Sequence, residues 1–224
     1  MSVNPYWTEQ DFEVFETPGL EARMEALSSH VRPKFESLGQ DFSAYFSGET
    51  GDEFFPHVAK HMRRTVNPPN DSWVAFAPYK RGYKAVPHFQ IGLWESHVFV
   101  ILAVIYEAPG KPQMANQLIS TGALADLPAE FVVSGDHMKP EAEAIASLGE
   151  EGIEKLLTRL RDVKKGELVI GRHLARADAA ALDKDGFYAF AEETFRELLP
   201  VYRNLLQANE KNRRSSLNGG FFIF

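Results

Sequence analysis

Val98 to Tyr106 form an unbroken apolar run rich in β-branched residues, and no other stretch restricts the fold so strongly. The run is too short to span a bilayer and suits a strand buried on both faces. His88 to Trp94, rich in Phe, Ile and Leu, precede it, with Glu95 and Ser96 between. A short loop there predicts a hairpin pairing Trp94 with His97, Gln90 with Ile101 and His88 with Ala103. A two-residue or a four-residue loop gives that register, and a three-residue loop would shift it.

In that register side chains sort by parity. One face carries Phe89, Ile91, Leu93, Val98, Val100, Leu102 and Val104, so helices should cover it. The other carries His88, Gln90, Gly92, Trp94, His97, Phe99, Ile101, Ala103 and Ile105. This mixture of polar, aromatic and small groups is unlike a core and unlike a wet surface. Small residues at Gly92 and Ala103 leave room. Two readings stand: the floor of a pocket, or a half-exposed sheet face capped by a loop.

Around this hairpin the pattern is mixed. Thr8 and Asp11 mark a helix start, and Thr17-Pro18 a second. From there Leu20, Met24, Leu27, Val31, Phe35 and Leu38 fall at helical spacing; Gly39 should end that helix and Pro33 kink or split it. Residues 39 to 56 read as a loop, and Asp52 as the cap of a helix from Glu53 to about Arg64. Ser72 to Ala77 should be a strand, and Pro78 to Pro87 a basic connection. Pro109-Gly110-Lys111-Pro112 punctuates the chain. Met114 to Leu124 predict a helix, Phe131 to Ser134 a strand, Gly149 to Val163 a helix and Glu167 to Ile170 a strand. A last long helix capped by Asp183 or Asp185 contains Pro200. Without a strict βαβ rhythm, the fold class is α+β, with a mostly antiparallel sheet and helices packed on one face. Residues 1–210 read as a single domain and 211–224 as a C-terminal tail.

Several function classes are excluded. With no cysteine among 224 residues, disulfides, thiolate catalysis and Cys-ligated zinc are absent. There is no Gly-x-Ser-x-Gly, no phosphate loop and no dinucleotide fingerprint. A net charge of −7 argues against a dedicated DNA binder. MSVNPYWTEQDF has neither a basic start nor an apolar stretch, so the expectation is a soluble cytoplasmic protein without a membrane segment.

GDEFFPHVAKHMRRTVNPPNDSWVAF (Gly51 to Phe76) and RGYKAVPHFQIGLW (Arg81 to Trp94) resemble the YktB-like family of uncharacterised bacterial proteins. GLEARMEAL near the start and ELLPVYR near the end resemble it too, so the likeness covers nearly the whole chain. It implies a compact α+β cytosolic protein and brings no activity, cofactor or catalytic residue with it. The tail NGGFFIF lies outside the resemblance.

Two constellations bear on chemistry. His57 and His61 stand four apart, a metal spacing if they share a helix face. No third ligand is fixed by sequence, although His88, Asp52 and Glu53 are candidates, and Lys60 between them is unfavourable; no metal is assigned. The basic cluster is the stronger lead. From His57 to His88 there are six Lys or Arg against Asp71 alone, a net +5, while the rest of the chain has 18 basic and 30 acidic residues. Trp73, Tyr79 and Tyr83 are interleaved. Cations with aromatics suit the phosphate or carboxylate groups of a flat ligand such as a nucleotide. The candidate ligand-binding residues are therefore His57, Lys60, His61, Arg63, Arg64, Trp73, Arg81, Tyr83, Lys84, His88 and Gln90. Of these, Arg63, Arg64, Arg81 and Lys84 are expected to converge. The sequence reads as a binding domain for a small anionic ligand. Its alternatives are a His-dependent enzyme of unknown reaction and a protein–protein interaction module. A homo-oligomer formed through the C-terminal tail is a further expectation.

Overall fold

A capping carboxylate starts the first helix. Asp11 accepts hydrogen bonds from the Thr8 backbone N–H (2.7 Å) and the Thr8 hydroxyl (2.9 Å), which fixes α1 (Glu9–Glu13). The structure is a computed structural model that describes residues 4–218, with side chains as far as residue 208. The expected role of the tail's Phe221 to Phe224 lies outside the described residues.

The helix predicted from Thr17-Pro18 to Gly39 is divided and longer than the sequence suggests. It consists of α2 (Leu20–Ala26), a π-helical turn (Leu27–Val31) and α3 (Arg32–Thr50). Pro33 follows that π-helical turn directly, so the expected split of the helix falls just before it. Gly39 does not end α3; it is buried beside Pro56 and Val74. Gly51, with φ 80°, makes the left-handed C-cap that any side chain would strain. Much of the expected loop 39–56 is therefore helix.

The helix expected over residues 53–64 is also corrected. Phe55–Val58 form strand β1, and a turn follows. Alternation of Phe55 and His57 against Pro56 and Val58 has a period of two. Because β1 is an edge strand, Pro56 is tolerated there. Strands β2 (Asp71–Ala77), β3 (His88–Trp94) and β4 (His97–Val104) fall where the sequence places them. Next come α4 (Lys111–Thr121), β5 (Val132–Ser134), β6 (Glu143–Ala144) and α5 (Ile145–Asp162). Strand β7 (Leu168–Ala175), α6 (Arg176–Ala179) and α7 (Lys184–Asn218) complete the chain. Lys111-Pro112, read as punctuation, opens α4, because Pro suits a first helical turn. The α+β class is as expected: one seven-stranded sheet in the order β1-β2-β3-β4-β7-β5-β6, antiparallel in the pairs β1–β2, β2–β3 and β5–β6. No helix among the described residues is long and apolar enough to cross a membrane.

The chain forms two compact units. The first comprises Met1–Tyr83, His88–Ile101 and Gly171–Phe195; the second comprises Lys84–Pro87, Leu102–Ile170 and Arg196–Phe224. In the first, Phe76 stands opposite Phe89, and Val74 opposite Ile91, on the sheet face covered by helix. The Phe46 ring of α3 stacks on Phe89 at 4.2 Å and meets Phe195 of α7 at 4.8 Å. In the second, the Lys111 ammonium is buried against three carbonyls, those of Val163 (3.3 Å), Lys164 (2.8 Å) and Gly166 (2.7 Å). That cage ties the start of α4 to the turn before β7.

Candidate functional site

The register of the first unit decides which side chains share a surface. His57 stands opposite Ala75, Ala75 opposite Gln90, and Trp73 opposite Gly92, so all lie on the sheet face away from α3. Gly92 lies directly against the Phe99 ring, whose Cζ would be 2.1 Å from any added Cβ. Phe99 therefore belongs to this face as the parity argument requires, but the room expected over Gly92 is filled by that ring.

Part of the face is closed by Tyr83, which lies in a short 3-10 turn (Tyr83–Ala85) of the 78–87 connection. Its ring stacks on His57 and meets His88 edge-on, each at 4.9 Å. Its hydroxyl accepts the Trp73 indole N–H at 3.1 Å. His57 Nε2 donates to the Tyr79 carbonyl at 2.9 Å, and the Gln90 amide lies 2.8 Å from His88 Nε2. Ala75, small and central, leaves space for Tyr83 to bridge β1 and β3. Burial lowers the His57 pKa, only partly opposed by its bond to Tyr79.

The other part lies where the 59–70 connection leaves β1. That connection is pinned by the Ala59 N–H to the Trp73 carbonyl (2.9 Å) and by Arg23, which donates to the Pro69 carbonyl (3.0 Å). Within it His61 has φ 50°, the one non-glycine residue with positive φ among the described residues. Its ring meets Trp73 edge-on at 5.5 Å, and its Nε2 is 3.2 Å from the Ser72 hydroxyl. Desolvation pulls its pKa down to about 4, helped by the positive charges of Arg64 and Arg32. Both arginines are half-buried, and neither has an ion-pair partner among the described residues.

Six of the candidate residues are thus in one connected set: His57, His61, Trp73, Tyr83, His88 and Gln90. Lys60, Arg63 and Arg64 accompany His61. Because β1 and β2 are antiparallel, the 59–70 and 78–87 connections leave opposite ends of β2, and Arg81 belongs to the second, exposed. Lys84 pairs with Glu107 at 3.6 Å. Arg32, whose charge acts on His61, was not among the candidates; on a helical wheel it reads as a solvated cation. His57 and His61 do not share a helix face, which removes the metal geometry expected of their spacing.

A family model described as a domain of unknown function, DUF1054, matches residues 7–202. The chain belongs to the DUF1054 family. It is similar to a UPF0637 protein of Lysinibacillus sphaericus strain C3-41, 59% identical over 197 residues, which are 88% of this chain and 93% of that one. A UPF0637 protein of Macrococcus caseolyticus strain JCSC5402 is 48% identical over 198 residues, 88% of this chain and 98% of that protein. A third, from Bacillus thuringiensis strain Al Hakam, is 46% identical over 194 residues, 86% of this chain and 93% of its own length. The resemblance to the YktB-like family read from the sequence is borne out along nearly the whole chain.

Proposed function

We propose that this DUF1054 chain binds a small anionic ligand at the corner formed by His61, Arg64, Arg32 and Trp73. The observation that carries the reading is that two half-buried arginines without an ion-pair partner among the described residues both act on the desolvated His61 ring. Unneutralised charge beside a desolvated ring favours a phosphate or carboxylate oxygen, which guanidinium groups accept in a bidentate fashion. The Trp73 indole, held by Tyr83, supplies a flat apolar edge beside it. Lys60 and Arg63, both exposed, add positive field at the entrance.

The test is a melting experiment at low ionic strength with inorganic phosphate. A ligand that binds only the folded chain raises its melting temperature. The wild-type protein should be stabilised progressively by phosphate beyond an equal ionic strength of chloride, and Arg64→Ala and Arg32→Ala should lose that increment. No phosphate-specific increment in the wild type, or an equal one in both variants, contradicts the proposal.

A further inference from the structure

We infer that Asp136, His137 and Glu167 of the second unit form a binding site for one divalent transition-metal ion of the zinc class. One ligand atom from each residue lies within 4.8 Å of the others. The set of one imidazole nitrogen and two carboxylates suits a borderline cation such as Zn(II), Fe(II) or Mn(II) better than calcium, which prefers all-oxygen sites. His137 Nδ1 is 2.8 Å from Glu167 Oε2. Two ligands at about 2.1 Å from one ion, at a right angle, stand about 3 Å apart, so an ion replaces the bridging proton with little movement. The imidazole binds the ion through Nδ1 as its Nε2–H tautomer.

The surroundings orient the set from outside. Glu167 is buried at the start of β7, where its Oε1 accepts the Tyr106 N–H (3.1 Å) and its Oε2 the His137 N–H (2.9 Å). These backbone bonds fix the carboxylate and the main chain of His137 together, as supporting bonds do around metal ligands. Asp136 is half-exposed; its Oδ1 accepts the Met138 N–H at 2.9 Å, and its Oδ2 lies 3.8 Å from the exposed Lys139 ammonium. Lys139 is the competitor an ion must displace. Lys111, a cation acting on the Glu167 carboxylate, is held by its three carbonyls. The residue before Asp136, Gly135, lines a cavity of about 440 Å³ with Ser134, Glu141, Lys155 and Arg159.

The experiment is a calorimetric titration of the metal-free protein with Zn(II), repeated with Co(II) while its visible absorption is followed. One ion should bind per chain, and Co(II) should give the d–d bands of a nitrogen–oxygen site. Asp136→Asn and His137→Ala should each weaken Zn(II) binding at least tenfold, and Lys139→Ala should tighten it. Asp136 bonds only within its own turn, so that variant keeps its fold, which circular dichroism checks. Absence of Zn(II) binding up to millimolar concentration overturns the inference, as does binding that both ligand variants leave unchanged.

Discussion

Two stretches of one sheet face are finished in different ways. Under the 78–87 connection, Tyr83 closes over His57, His88 and Trp73, and His57, Trp73 and Gln90 each hydrogen-bond within the protein. Beside the 59–70 connection, the positive charges of Arg32 and Arg64 act on His61, and neither arginine has an ion pair among the described residues. Buried or half-buried polar groups cost free energy unless paired. The first stretch satisfies that requirement internally; in the second it is what the proposed anion would supply. The lesson is that a mixed polar and aromatic face need not be one site: a loop can turn part of it into structure.

The comparison can be broken most sharply at Gly92. An alanine there drives a methyl into the Phe99 ring, and overpacking of this kind costs about 1–3 kcal/mol. Urea denaturation measures it, and a loss well below that range means the closed stretch is looser than described. Tyr83→Phe is the next test. It removes the acceptor of the Trp73 indole N–H and should cost about 0.5–1.5 kcal/mol, read by the same method together with a shift in Trp fluorescence. Arg64→Ala in the open stretch should change stability by no more than about 0.5 kcal/mol without ligand, because no native bond is lost. A larger loss would make that arginine structural and erase the contrast.

A separate effect is one of pH. The folded-state pKa of His61 is lowered from the ordinary 6.5 to about 4, so the folded chain holds fewer protons there than the unfolded chain. Its contribution to stability is present above about pH 6.5 and is lost as pH falls through about 4. His97 and His173, stacked at 4.1 Å and lowered by burial to about 4 and about 3, act in the same direction. The difference between wild type and His61→Gln across that interval isolates the corner.

The hairpin, its parity and the α+β class were legible because a run such as VFVILAVIY tolerates few arrangements, and a two-residue connection fixes register. The 53–64 region was not, because Asp52 imitates a helix cap and only pairing with β2 reveals Phe55–Val58 as a strand. Gly39 misled for a related reason: it serves close packing against Pro56 and Val74, not termination. Parity placed His88 and Gln90 on one face; that His57 and Trp73 share it is visible only from the strand pairing. Arg32 was hidden because its role depends on where α3 begins relative to β2. Asp136 and His137 are adjacent, but Glu167, distant in sequence, joins them only through the fold.

The most direct test of the open corner is the titration of the His61 ring, followed by NMR with and without inorganic phosphate. The account predicts a pKa far below 6.5 in the free protein, near 4, and a rise when phosphate balances Arg64 and Arg32. A ring that titrates near 6.5 and ignores phosphate would contradict it.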